Sequence, residues 1–325
     1  MIADLLMLIP HHRFVLEALR TSLIDIHPNA AWVQNGITIA GGNGEGNRAN
    51  QLNYPRDLYI DENQAVYVAD RSNHRIMKWV HSATSGQIVA GGNGEGNRAN
   101  QLNCPWDVIV DEERDNLLIC DFGNNRLVRW PRRNGTTKGE TMISNIACTS
   151  LTLDENDFLY VVDGGKHEVR RYRMGSSEGK VVAGGNGKGN RLDQFSLPSY
   201  VFVDQDRSVY VSDYENHRVM KWEEDAKQGI IVAGKNGKGS GLTQLYGPRG
   251  VFVDNLGTVY VVDQWNHRII RWPTGSTQGS VIAGGNGFGG KPNQLSYPVG
   301  LLFDQYRNLY VVDKDNNRVQ KFSIK

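Results

Sequence analysis

The feature that most constrains this chain is a period. Six aspartates, Asp70, Asp121, Asp163, Asp213, Asp263 and Asp313, stand 51, 42, 50, 50 and 50 residues apart, each closing a run such as VYVAD, LLICD or LYVVD. Self-similarity at this spacing means stacked copies of one supersecondary unit, none of which can bury its apolar face alone.

Within a copy, alternating β-branched and aromatic residues form four short runs divided by turn chemistry. The first copy reads LYID from Leu58, VYVAD from Val66, RIMKW from Arg75 and QIVAGG from Gln87, with no helical period between them. Such runs are half-buried strands, and four in succession make an antiparallel meander. A lone meander leaves both edges open, and closing several into a ring protects them. The expected fold is all-β: a six-bladed β-propeller of four-stranded antiparallel blades over residues 36–325.

The two ends of the chain predict how the ring closes. The sixth copy stops at Lys325 after its third strand, and the missing fourth lies at the other end, where GITIAGG from Gly36 matches GQIVAGG from Gly86 and GSVIAGG from Gly279. The N-terminal strand is expected to latch the last blade. Residues 1–35 form an extension in which Phe14, Val15, Leu19, Leu23 and Ile26 fall on or near one helical face, a short amphipathic helix docked on the main body. Asp4 and Pro10 break its apolar start, so it reads neither as a signal peptide nor as a membrane span, and the compartment stays unassigned.

The stretch AGGNGEGNRANQLN occurs unchanged at Ala40–Asn53 and Ala90–Asn103, with variants at Ala183, Ala233 and Ala283. A phosphate-cradling loop runs from a strand into a helix, whereas each of these runs from a strand into another strand. They read as blade-to-blade crossings whose glycines supply positive φ, and no cofactor is expected. The third copy lacks this loop and has only SNIA at Ser144–Ala147, which accounts for the short interval.

The unit PxDxxxD or PxGxxxD, then a run like VYVAD, then NHR, then an aromatic four residues on, resembles the NHL-repeat family, and the VAGGNGxGN loops are similar to an uncharacterised subgroup of it. The resemblance covers roughly Gly36 to Lys325. It implies a propeller, and functions that range over RNA-binding and protein-binding modules of ubiquitin ligases, sensor domains and a metal-dependent lyase. Fold alone does not choose among these. The signature residues read as scaffold: the repeated aspartates at strand ends, Arg75, Arg126, Arg218, Arg268 and Arg318 placed to pair with carboxylates, and Trp79, Trp130, Tyr172, Trp222, Trp272 and Phe322 filling the gaps between blades. His74, His167, His217 and His267 share one turn position too far from the axis to meet on a metal, and read as structural.

Composition sets outer limits. Lys plus Arg number 36 against 35 Asp plus Glu, so no net field draws the molecule to DNA or an anionic membrane. Cys104, Cys120 and Cys148 are too few for a disulfide scaffold and lack zinc-site spacing.

Function is sought where the copies differ. The loops entering the innermost strands and those joining strands two and three share one face around the channel mouth. Arg56, Arg71, Trp106, Phe122, Tyr214, Arg249 and Trp265 vary there among otherwise similar copies, and arginines with aromatics are the composition of an interaction hot spot or a base-stacking platform. The expected role is non-enzymatic: a monomeric module holding a protein or peptide. The alternative is RNA binding, supported by nine basic against five acidic residues in the entry loops, a modest surplus. A less favoured reading is a Ca- or Zn-dependent hydrolase or lyase, with Asp57 and Asp107 as weak metal candidates.

Overall fold

A computed structural model describes residues 24–132 and 137–325. The helix expected over Phe14 to Ile26 therefore lies largely outside the described residues. Among those described, six sheets of four antiparallel strands form a β-propeller. Blade 1 runs outward from the axis through Leu58–Ile60, Val66–Asp70, Arg75–Trp79 and Gln87–Gly91. Blades 2 to 5 repeat this order, beginning at Pro105–Asp111, Cys148–Leu153, Pro198–Val203 and Pro248–Val253.

The latch is present. Blade 6 takes Leu301–Phe303, Leu309–Asp313 and Arg318–Phe322 from the end of the chain, and its outer strand is Ile37–Gly41. The pairing runs Ile37 to Lys321, Thr38 to Gln320, Ala40 to Val319 and Gly41 to Arg318. The closure begins earlier than the strand. Trp32 bridges Ile324, donates its Nε1–H to the Arg307 carbonyl at 3.1 Å, and packs with Ile26 in the apolar cluster of blades 5 and 6. Residues 24–35, read from sequence as part of an extension, are thus docked on the propeller.

Apolar clusters fill the spaces between blades. One holds Tyr67 and Ile76 of blade 1 with Val108, Leu117 and Trp130 of blade 2. All six repeat aromatics, Trp79, Trp130, Tyr172, Trp222, Trp272 and Phe322, are buried, as alternation on two-sided strands requires.

The repeated aspartate does more than cap a turn. Asp70 Oδ1 accepts the Asn53 N–H at 2.7 Å, while Oδ2 accepts Asn73 Nδ2 at 2.8 Å and Arg75 Nε at 2.7 Å. Arg75 then donates to the carbonyls of Asn47, Arg48 and Gln51, so one ion pair holds the whole glycine loop against its blade. The same Asp–Arg contact recurs at Asp121–Arg126, Asp213–Arg218, Asp263–Arg268 and Asp313–Arg318. Blade 3 has no glycine loop to hold, and Glu168 stands in place of the arginine, pairing with Arg170.

The turn histidines are blade-to-blade ties. Nδ1 of His74, His167, His217 and His267 accepts the N–H of Cys104, Leu197, Gly247 and Tyr297 of the next blade at 3.1, 3.3, 3.2 and 3.1 Å. Asn317 Oδ1 does the same for Tyr54 at 2.9 Å and closes the circle from blade 6 to blade 1. Burial holds the His217 and His267 pKa values below the usual range, in keeping with a neutral ring that accepts. Between blades 2 and 3 no such tie is found among the described residues. A Cys120–Cys148 disulfide spans that junction instead, a pairing that cysteine spacing alone did not reveal.

Two outcomes follow. Deleting residues 1–42 removes both Trp32 and the outer strand of blade 6, and is expected to cause aggregation or loss of cooperative unfolding in thermal melts with light scattering. A cut after residue 23 leaves every described contact in place, and equal melting of the two truncations would contradict the latch. Replacing Cys120 and Cys148 together by Ala is expected to lower stability to urea by about 2–4 kcal/mol, whereas Cys104→Ala changes it by less than about 0.5 kcal/mol.

Candidate functional site

Each innermost strand enters the ring just after a proline or its equivalent, so successive residues of six blades form successive rings around the axis. At the mouth stand Arg56, Trp106, Thr149, Ser199, Arg249 and Val299. One residue deeper stand Asp57, Asp107, Ser150, Tyr200, Gly250 and Gly300.

The deeper ring closes the channel. Asp57 and Asp107 are buried beside each other, near enough to interact, and the Tyr200 hydroxyl lies near Asp57. Asp57 Oδ1 accepts the Leu58 N–H at 2.8 Å and Asp107 Oδ2 accepts the Leu151 N–H at 2.8 Å. Tyr200 reaches across from blade 4 and donates its hydroxyl to the Arg56 carbonyl of blade 1 at 3.3 Å. Gly300 makes this crossing possible, because a Cβ there would collide with Asp57 Oδ1 and crowd the Tyr200 hydroxyl. Below this plug lies a cavity of about 120 Å³ lined by Ile60, Ile109, Leu151, Phe202 and Phe252, with Ile24 also against it.

Burial, reinforced by the neighbouring Asp107, pushes Asp57 well above the usual carboxylate range, and burial raises Asp107 as well. Two buried carboxyls placed together disfavour ionisation of both at once. No cluster of three or more His, Cys, Asp or Glu that could hold an ion occurs among the described residues. Burial, followed by the charges of Asp57 and Asp107, also pushes the Tyr200 hydroxyl well up.

The seven variable residues gather in two groups above the plug. On blades 1 and 2, Trp106 stacks on Phe122 at 4.0 Å between ring centroids, and the Arg56 guanidinium lies over Trp106 at 4.3 Å. On blades 4 and 5, Arg249 lies over Tyr214 at 3.9 Å, and Trp265 donates its Nε1–H to the Tyr214 hydroxyl at 2.9 Å. Arg71 and Arg249 are both near enough for their charges to depress the Arg56 pKa, although burial is the larger cause. Sequence comparison of the copies missed Tyr200, Gln264, Tyr246 and Tyr297. Tyr246 stacks on Trp265 at 5.4 Å, Tyr297 meets it edge-on at 5.0 Å, and Gln264 Oε1 accepts from Arg249 Nε at 3.3 Å. Tyr200 carried a readable signal, since it replaces the Asp or Gly of the repeat motif.

The NHL repeat family model matches residues 52–79 and 245–272. With six blades of this unit in one ring, the chain is an NHL-repeat β-propeller. No curated protein sequence matches it. An auxiliary nutrient binding protein from Bacteroides thetaiotaomicron superposes with a TM-score of 0.70 at 16% identity, covering 91% of this chain and 77% of that one. A gluconolactonase from Xanthomonas campestris gives 0.62 at 12%, covering 93% and 99%. A virginiamycin B lyase from Staphylococcus aureus, solved with quinupristin, gives 0.57 at 13%, covering 86% and 98%. At such identities the likeness is one of fold, and binding proteins and enzymes both share it. Among the described residues no helix is long and apolar enough to cross a membrane.

The carboxyl pair gives a signed expectation. Carboxyls whose folded pKa is raised stabilise fully below their unfolded value near 4, and that contribution is lost as pH rises through the folded value. Asp57→Asn keeps a donor toward Asp107 without a charge. Its melting temperature relative to the parent is therefore expected to rise between pH 5 and 9. A variant that loses ground on the parent with rising pH would contradict the raised carboxyl pKa values.

Proposed function

We propose that this propeller is a non-enzymatic interaction module that holds a protein or peptide segment on the loop face around the channel mouth. The observation that carries the reading is the pair of arginine–aromatic groups, Arg56–Trp106–Phe122 and Arg249–Tyr214–Trp265, on either side of a plugged axis. Stacked rings and planar guanidiniums supply large contact area at low entropic cost and dominate the energetics of protein interfaces. The plug directs a ligand to lie across the mouth. For catalysis the channel offers a buried carboxyl pair that already accepts the Leu58 and Leu151 N–H groups, which favours binding over chemistry.

RNA remains the second reading, and one observation favours it. Arg48, Arg98, Lys235 and Lys291 on the crossing loops have no carboxylate within ion-pair distance among the described residues, so they are open to phosphates. Other loop cations are neutralised within the fold, as Lys188 by Glu215 and Arg191 by Asp193.

The test is truncation of the aromatics at the mouth, with a partner first recovered from source-cell extract with and without RNase. Trp265 is 40% exposed, so Trp265→Ala is expected to leave the melting temperature nearly unchanged. With Phe122→Ala and Tyr214→Ala it is expected to weaken a protein partner by about 2 kcal/mol or more, with little salt dependence. An RNA partner would instead show a log K against log salt slope that flattens by about 0.7 for each phosphate-contacting cation removed. Full binding by the triple variant would place the site elsewhere.

A further inference from the structure

Three guanidiniums converge at the mouth without a counter-charge. Arg71 and Arg249 both stand near enough to Arg56 for their charges to act on it, and none of the three has an ion pair among the described residues, although most repeat arginines do. Asp57 and Asp107, one residue deeper, are buried in the plug, where they accept the Leu58 and Leu151 N–H groups. Lys314, which occupies in blade 6 the place of Arg71, is already paired with Asp315 at 3.0 Å.

The same corner contains donors with nothing to donate to. Arg56 Nε, Arg71 Nε and Trp106 Nε1 are buried and find no acceptor among the described residues. A buried donor left unpaired is costly, and three in one place favour any ligand that brings acceptors. The fork of a guanidinium matches a carboxylate in two parallel hydrogen bonds, and the Trp106 and Tyr214 rings beneath Arg56 and Arg249 hold those forks in plane.

Resting on the peptide-binding reading above, we propose that Arg56, Arg71 and Arg249 form a carboxylate receptor, so that the partner presents acidic side chains to the channel mouth. The cations are grouped at one point instead of along a groove, which suits a short acidic motif better than a nucleic-acid backbone that needs charge along its track. Phe122 and Trp265 flank the receptor and offer apolar contact to the residues on either side of the motif.

The experiment titrates the whole chain with tetraglutamate blocked at both ends, tetraglutamine blocked likewise, and octauridylate, read by calorimetry and tryptophan fluorescence. Tetraglutamate is expected to saturate one site and to raise the melting temperature, while tetraglutamine does neither. Combined Arg56→Gln, Arg71→Gln and Arg249→Gln is expected to weaken tetraglutamate at least 30-fold. Arg56→Lys and Arg249→Lys singly, which keep the charge and lose the fork, are expected to weaken it about tenfold and guard against misfolding of the triple variant. Arg48→Gln with Arg98→Gln is expected to change nothing. Tetraglutamate binding that survives the triple variant, or no saturable binding at all, overturns the receptor. If the aromatic variants still abolish partner capture in that case, the receptor fails and the face reading stands. Octauridylate binding more tightly than tetraglutamate, with loss in the Arg48 and Arg98 variant, overturns both.

Discussion

The structure depends on one buried ion pair, repeated. A carboxylate taken out of water is tolerable only if both its oxygens are well paired, and Asp70 meets this with the Asn53 N–H, Asn73 Nδ2 and Arg75 Nε. Its partner Arg75 is in turn consumed by three loop carbonyls. The result is that a glycine-rich crossing, whose backbone would otherwise be the freest part of the chain, is tied to the strand pair it enters. Removing either member would leave a buried charge alone, which makes the contact a requirement of the fold more than a bonus to it. Asn73 extends the lock to the loop by donating to the Gly46 carbonyl at 2.8 Å.

The exception supports this account. Between blades 2 and 3 the crossing is only SNIA, no arginine follows Asp163 at the usual place, and no histidine ties Asn125 forward. Asp163 turns instead to the Gly165 and Lys166 N–H groups of its own turn, each at 3.2 Å. The Cys120–Cys148 bond falls at this junction, joining the second strand of blade 2 to the first of blade 3. A covalent link thus stands where the polar ties are missing, and the loss of one device is matched by the gain of another at the same seam.

Much of this was legible in the sequence because repetition supplies its own control. The blade count, the latch at Ile37–Gly41, the inter-blade aromatics and the structural role of the turn histidines follow from aligning the copies, since a residue type that recurs at equivalent places answers to a shared geometry. The variable residues Arg56, Trp106, Phe122, Tyr214, Arg249 and Trp265 were legible for the converse reason. What alignment could not show is contact across the ring. Tyr200 approaches Asp57 only because Gly300, a hundred residues away, leaves space at the axis. The cysteine pair was hidden likewise, because 28 residues of intervening blade bring its members together. The docking of Ile26 and Trp32 was blurred by a boundary drawn at residue 35, where repeat similarity ends but burial does not.

The plug and the arginines above it belong to one electrostatic arrangement. Had Asp57 and Asp107 both been ionised and turned upward, they would have neutralised two of the three guanidiniums and left a closed, self-satisfied mouth. Buried beside each other and held by the Leu58 and Leu151 N–H groups, they spend these acceptors within the plug. Tyr200 helps by taking the Arg56 backbone carbonyl as its acceptor, which leaves the Arg56 side chain free to lie on Trp106. The cationic mouth is therefore a consequence of how the axis is filled: with the channel carboxyls satisfied within the plug, the counter-charge that Arg56, Arg71 and Arg249 require must come from beyond the described residues.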